Sequence, residues 1–248
     1  MTKITIGADP ELFVQDNGKI IPVCGMIDGD KANPLAVKCG AIQEDNVLAE
    51  FNIDPVDNVT DFKVNLQTVM DELSAHLKCD LAIKASHHFD QQTLMSYPSA
   101  MILGCEPDFN AYTKGQNKKP NARTTLRTAG GHIHVGYENN NEEQSHNIVK
   151  NMDILLGLPS VLLDDDTERR AMYGAAGAHR IKPYGVEYRS LSNFWLGSER
   201  LQEWAYEQSV LAVGSKFSVD EDEVQRIIND SDVAAASAMI QELGVAMP

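Results

Sequence analysis

The run Gly130-Gly131-His132-Ile133-His134-Val135-Gly136-Tyr137 constrains this chain most, because apolar residues that recur at every second position fit a strand and not a helix. Side chains alternate across a strand, so Ile133, Val135 and Tyr137 share one face and His132 and His134 share the other. The apolar face demands a covering layer. The histidine face is free for chemistry, and the glycines at 130, 131 and 136 leave room for a ligand to approach the backbone. Two histidines two apart form a common metal or phosphate device, but they occur equally as hydrogen-bonded sheet residues. Their neighbours must decide between the two.

Acidic residues recur in patterns that point the same way. Lys3 to Ile6 reads as a strand that runs into Gly7-Ala8-Asp9-Pro10-Glu11-Leu12-Phe13, where it ends at or passes through a turn. Gly104-Cys105-Glu106-Pro107-Asp108-Phe109 echoes that segment: glycine, small residue, acid, proline, acid, large apolar residue. In extended backbone each copy can aim two carboxylates one way, although two unrelated acidic turns would read the same. Gln43 to Ile53 reads as a hairpin with Glu44-Asp45-Asn46 as its turn. On its return strand Val47, Ala49, Phe51 and Ile53 share one face, leaving Glu50 and Asn52 on the other. Gly185 to Leu191 is a further strand, with Glu187 and Arg189 on one face and Val186, Tyr188 and Ser190 on the other. A charged pair inside a strand is expensive when buried without purpose and ordinary when exposed. Upstream, residues 168–182 read as a cation-rich loop punctuated by glycine, suited to phosphate or to neutralising Asp164, Asp165 and Asp166.

The remaining elements suggest a frame. Phe62, Leu66, Val69, Met70, Leu73 and Leu77 make an amphipathic helical stripe. Strands are expected at Leu81–Ala85 and Ala100–Cys105, and helices at Glu142–Leu156 and Ser198–Lys216, with two shorter helices from Asp222 onward. Hairpin spacing outnumbers strand–helix–strand alternation, so the fold class is α+β with a mostly antiparallel sheet. Residues 1–217 read as one domain and 218–248 as a helical appendix of it.

A net charge of −15, from 36 acidic and 21 basic residues, repels a nucleic-acid backbone and disfavours duplex binding. No signal peptide or membrane span is read, which leads to an expected location in the cytoplasm. Cys24, Cys39, Cys79 and Cys105 lack paired spacing and read as reduced, buried thiols. The chain has no GxxxxGK[ST] loop, no GxGxxG after a strand and no GxSxG, so a nucleotide would be held by metal and arginine instead of a glycine-rich cradle. Oxygen-rich ligand sets favour magnesium or manganese over zinc.

The order of N-terminal strand acid, hairpin Glu50, Gly-Gly-His-Ile-His and Gly-Val-Glu-Tyr-Arg-Ser-Leu resembles the glutamine synthetase and glutamate–cysteine ligase superfamily, and within it the compact phage carboxylate–amine ligases. The likeness covers roughly residues 4–197. It implies a curved, mostly antiparallel sheet with helices on its outer face, and ATP and Mg2+ (or Mn2+) on its concave face. It implies a metal shell of Glu11, Glu50, Glu106, His132 and Glu187, with Asp9 and Asp108 competing for the roles of Glu11 and Glu106. His134 would face nucleotide phosphates or substrate, and Arg189 and Arg180 would serve as phosphate and transition-state cations. The implied reaction is ATP-dependent amide formation through an acyl phosphate, joining a small-molecule or peptide carboxylate to an amine. The chain is far shorter than glutamine synthetase, so that enzyme's substrates do not transfer, and a homo-oligomer is allowed. Two alternatives stay open: a zinc- or manganese-dependent hydrolase using His132, His134 and the carboxylates, and a non-catalytic phage protein that keeps the fold. In a like-charged cluster, removing Glu50 or Glu187 is expected to abolish turnover with little unfolding.

Overall fold

One long strand organises the computed structural model, which describes residues 3–101, 108–117, 124–138 and 140–248. This strand, β1 (Ile4–Asp16), runs through Gly7–Phe13 without a turn. Short strands follow at β2 (Lys19–Ile21) and β3 (Leu35–Val37), and the expected hairpin is β4 (Gly40–Asp45) and β5 (Leu48–Ile53). Next come β6 (Asp80–Ala82), β7 (Ser86–His88), β8 (Phe109–Asn110), β9 (Leu126–Thr128) and β10 (Gly131–Tyr137), then β11 (Ala178–Lys182) and β12 (Gly185–Tyr188). The large sheet has the order β3-β4-β5-β1-β10-β12-β11-β8, with β2 and β6 also paired to β1, and all its pairs are antiparallel. β7 and β9 form a separate pair.

β1 changes partner along its length. Ile4 to Pro10 pair with β10, Glu11 and Leu12 with β5, and Phe13 to Asp16 with β6 and β2. Proline cannot donate to a ladder. Pro10 is tolerated in this central strand because it falls at the hand-over, after which the Glu11 N–H donates to Gly130 O (2.9 Å). Ile6, Ala8, Leu12 and Val14 turn to the main core, while Asp9 and Glu11 turn the other way.

The helices are α1 (Val59–Leu77), α2 (Gln91–Met95), α3 (Glu142–Met152), α4 (Leu158–Leu163), α5 (Thr167–Met172), α6 (Glu199–Gly214), α7 (Glu221–Asp230) and α8 (Val233–Leu243). Asn58 caps α1 by accepting from the Asp61 N–H, and Lys78 ends it in a left-handed conformation. Phe62, Leu66, Val69, Leu73 and Leu77 bury its stripe. Together with Ile148, Met152, Trp204 and Ala205 they cover one face of the sheet. Residues after 217 join that core through Val224, Ile227, Ile228, Ala236 and Ile240. A second, smaller core around Phe13, Val47, Leu48, Phe89, Leu94 and Ala129 closes one end of the opposite face.

Several boundaries differ from the expectation. The hairpin turn sits at Asn46 and Val47, where Asn46 adopts φ 60°. The strand expected at 81–85 is reduced to Asp80–Ala82; Ala100 and Met101 belong to a 3-10 turn, and the rest of that expected strand lies outside the described residues. Residues 168–182 are no loop: they form most of α5 and all of β11. The helix expected to stop at Leu156 passes through a π-helical turn, Asp153–Gly157, and continues as α4. That turn points a fully buried carboxylate inward: Asp153 accepts from the Tyr188 hydroxyl (2.7 Å) and the Tyr112 hydroxyl (2.9 Å). Burial raises its pKa to about 7. Cys24, Cys39 and Cys79 are unbridged as expected, but half-buried instead of buried; Cys105 lies outside the described residues.

Candidate metal and phosphate site

The uncovered face of the sheet forms the floor of a cleft of about 600 Å³, lined by polar residues of β1, β5, β10 and β11 and by Arg189 just after β12. The cleft is electrostatically split. Asp9 and Glu11 of β1 and Glu50 of β5 line one side, and Arg180 and Lys182 of β11 with Arg189 line the other.

On the acid side, register sets Glu11 directly opposite Glu50. Like charges facing each other across strands are destabilising. Burial, then Asp45, raises the Glu11 carboxyl to about pH 7, and burial with Asp9, Asp45 and Glu11 lifts Glu50 well above the usual range. Glu11 accepts from the Gly130 N–H (2.6 Å) and Glu50 from Gln43 Nε2 (2.8 Å), so each carboxylate is aimed by a fixed donor. Lys31, from the loop before β3, reaches this wall and lies 3.7 Å from Asp45.

On the cation side, Glu187 has no exposure. Its Oε1 contacts Arg189 Nη1 and lies 3.5 Å from Arg180 Nη1, and its Oε2 is 2.8 Å from Lys182 Nζ. Against burial and the charge of Asp9, Arg189 and the histidines hold Glu187 down at about 2, and the Arg189 guanidinium is correspondingly pushed up. This corrects the expectation that Glu187 belongs to a like-charged cluster: its nearest neighbours are cations, so its removal strands them. For Glu50 the expectation of repulsion agrees with its surroundings.

The two walls meet at the histidines. Asp9 Oδ1 lies 2.8 Å from His134 Nε2 and 3.4 Å from His132 Nδ1. Burial would raise Asp9, yet His134 and His132 hold it well below its usual value; Asp9 in turn raises His134 against burial. His132 is lowered to about 4 by burial and by Arg189, whose Nη1 lies 3.2 Å from Nδ1, so its ring is neutral at pH 7. The Tyr184 hydroxyl contacts His134 Nδ1.

A divalent cation fits these residues. Among the described residues, Asp9, His134 and Glu187 each offer a ligand atom within 4.8 Å of the others'. Asp9 Oδ1, His134 Nε2 and Glu187 Oε2 are buried and, despite close ion-pair distances, none makes a well-directed hydrogen bond. Buried polar atoms of that kind call for a partner. Glu11, Glu50, His132 and Glu187 of the expected set all face this side of the sheet, but Glu11, two residues along β1 from Asp9, and Glu50 opposite it on β5 are not in the converging group, and Glu106 lies outside the described residues. Asp108 is described, with Oδ2 4.0 Å from Arg189 Nε.

The glycines of the Gly-Gly-His-Ile-His run serve the protein itself instead of clearing space for a ligand. A Cβ on Gly130 would enter the His132 imidazole, and one on Gly131 would strike Ser192 O and the Trp195 indole, whose Nε1 donates to Gly131 O (3.0 Å). A Cβ on Gly136 would meet the Thr5 hydroxyl.

Of the cations in residues 168–182, only Arg180 and Lys182 face the cleft. Arg169 donates to Ser190 O (2.9 Å) and Arg189 O (3.2 Å), which fixes the backbone that carries Arg189; Arg170 donates to the Ser160 hydroxyl and carbonyl. Both are buried, and burial lowers Arg169 to about 10. Lys182 and Lys31 were not among the expected site residues. For Lys182 the alternation Arg180-Ile181-Lys182 was an available signal; for Lys31, on an irregular loop, none existed. A smaller cavity of about 60 Å³ lies beyond Glu11, His132 and Arg189, with Arg127 and Tyr173 in its lining.

A group able to hold a divalent ion beside a wall of cations is an arrangement suited to an anionic, oxygen-rich ligand. The family model for "Phage phiEco32-like COOH.NH2 ligase-type 2" matches residues 124–231. The match spans less than half of the chain and marks a likeness to that carboxylate–amine ligase family. It contains His132, His134, Arg180, Glu187 and Arg189; Asp9, Glu11 and Glu50 lie before it. No curated protein matches the chain. None of the described helices is long and apolar enough to cross a membrane.

Proposed function

We propose that this chain is an ATP-dependent carboxylate–amine ligase that makes an amide through an acyl phosphate, with Mg2+ or Mn2+ beside the nucleotide phosphates. The observation that carries the reading is the single cleft divided into an acid wall and a cation wall that meet at Glu187 and the histidines. The match of residues 124–231 to a carboxylate–amine ligase family supports it.

The reaction must bring two anions together. A carboxylate oxygen of the acid bonds to the γ-phosphorus while the bond to the departing ADP oxygen breaks. The amine nitrogen then bonds to the acyl carbon, loses a proton, and phosphate leaves. A divalent ion held by Asp9, His134 and Glu187, with Glu11 and Glu50 nearby, would supply charge neutralisation at the phosphate oxygens. The chain's own residues do the rest. Arg189, fixed by Arg169 and by Glu187, presents a buried positive charge where the transferred group's charge develops. Arg180 and Lys182 offer further positive charge to the phosphates. Neutral His132 packs between Gly130 and Arg189 and keeps that guanidinium aimed. The nucleotide, the acid and the amine are the partners implied; no nucleic-acid duplex or membrane is.

Hydroxylamine stands in for an unknown amine, so a hydroxamate screen across candidate carboxylates with MgATP tests the reading. Hydroxamate with matching ADP and phosphate is expected. Absence of product with every acid, together with no thermal protection by MgATP, refutes it. The mixed donors Asp9, His134 and Glu187 also suit zinc or manganese in a hydrolase. Stoichiometric zinc retained on purification, with no effect of ATP on stability, supports that second reading.

A further inference from the structure

We infer that Lys182 is a built-in counter-ion that occupies the metal side of Glu187 until a polyphosphate enters, so that divalent metal and phosphate ligand load this site together. The inference rests on the proposed reading of the site as one for metal and nucleotide.

Glu187 has no oxygen to spare in this structure: Oε1 serves Arg189 and Arg180, and Oε2 faces Lys182 Nζ at 2.8 Å. Oε2 is also a buried atom without a well-directed hydrogen bond, on a residue of the group able to hold a metal. A metal ion drawing on Oε2 competes with that ammonium for the same oxygen. Around the group, two carboxylates, Asp9 and Glu187, stand against three permanent cations, Arg180, Lys182 and Arg189. A bare divalent ion drawing on Oε2 therefore meets those cations at close range, and negative charge arriving with it offsets their repulsion.

The three cations are not equally able to yield. The Arg189 side chain is 10% exposed, contacts His132 and Glu187, and has its own backbone carbonyl held by Arg169. Arg180 is 11% exposed and lies mid-strand in β11. Lys182 is 30% exposed, ends β11, and carries a strongly hydrated point charge on a flexible stem. It can swing from Glu187 to a phosphate in the same cleft without disturbing either arginine. Leaving frees Oε2 for the metal, and the phosphate adds oxygen ligands of its own. By linkage, each ligand tightens the other by the same factor.

Equilibrium dialysis of Mn2+ on the full-length protein tests this, with inorganic tripolyphosphate as the second ligand and its own Mn2+ binding accounted for. Lys182→Met keeps the apolar stem and removes the charge; Lys182→Gln is a second neutral variant. Wild type is expected to bind Mn2+ alone at least about tenfold more weakly than either neutral variant. Tripolyphosphate should tighten Mn2+ about tenfold or more in wild type and much less in the variants, a coupling in the usual range for linked sites. Neutral variants that bind Mn2+ no better than wild type, while wild type binds it with tripolyphosphate, overturn the inference and leave the functional reading intact. No Mn2+ binding by any of the proteins, with or without tripolyphosphate, overturns both.

Discussion

Glu11→Gln should make the metal-free protein more stable, and only at a pH where the carboxyl is ionised. Glu11 faces Glu50 across the β1–β5 pair and is lifted from its ordinary 4.5 to about 7, first by burial and then by Asp45. A raised folded-state pKa contributes stability below pH 4.5 that is lost as pH climbs through about 7, because the folded state holds its proton longer. Taken whole, that shift costs the folded protein roughly 3 kcal/mol at pH 8. Partial solvent access and relaxation reduce it, leaving about 1–3 kcal/mol, or roughly 3–10 °C in melting temperature for a chain of this size. Glutamine retains an oxygen to accept the Gly130 N–H, so the backbone contact survives. Calorimetry in EDTA at pH 8 and pH 5 measures the effect: a clear gain at pH 8 that shrinks toward zero at pH 5. No gain at pH 8, or an equal gain at both values, refutes the electrostatic reasoning.

Glu187→Gln should act in the opposite sense, lowering apo stability at pH 8 by about 3 kcal/mol, since it leaves buried cations unpaired. Its folded-state pKa is depressed to about 2, so its contribution is present above pH 4.5 and lost as pH falls toward 2; a variant as stable as wild type at pH 8 contradicts the charge arrangement. Gly130→Ala forces a methyl group into the His132 ring and should cost about 1–3 kcal/mol. It should also lower hydroxamate formation more than about tenfold by turning Arg189's neighbour; an unchanged melting curve and rate would show that the ring moves freely.

Where the fold was legible in the sequence, two-residue periodicity made it so. His132 with His134, Glu187 with Arg189, and Glu50 with Asn52 share a face as alternation requires, because each strand turns its opposite face into one core. Strand limits were less legible. Nothing local announces that β1 continues past Pro10, since the hand-over from β10 to β5 that tolerates the proline is a tertiary event. The π-helical turn escaped for a related reason: Ile148, Met152 and Leu155 fit an ordinary helical stripe, and only the hydroxyls of Tyr112 and Tyr188 explain an acid at 153. Within the site, the inventory of acids, histidines and arginines could be read, but not the pairing that surrounds Glu187 with cations. That pairing depends on the register of β11 against β12, which sets Arg180 directly opposite Glu187.

The partner changes of β1 also set a timetable. β2, β5 and β6 all precede β10, the partner of Ile4 to Pro10, which ends at Tyr137, so during synthesis that half of β1 waits for about 120 further residues, roughly ten seconds at ordinary elongation rates. Glu187 and Arg189 emerge later still. Asp9 is thus among the first site residues made and among the last to meet its partners, whereas Glu11 has Glu50 opposite it as soon as β5 is made. Truncation anywhere before β11 removes one wall of the cleft entirely, leaving the acids of β1 and β5 without the cations that offset them.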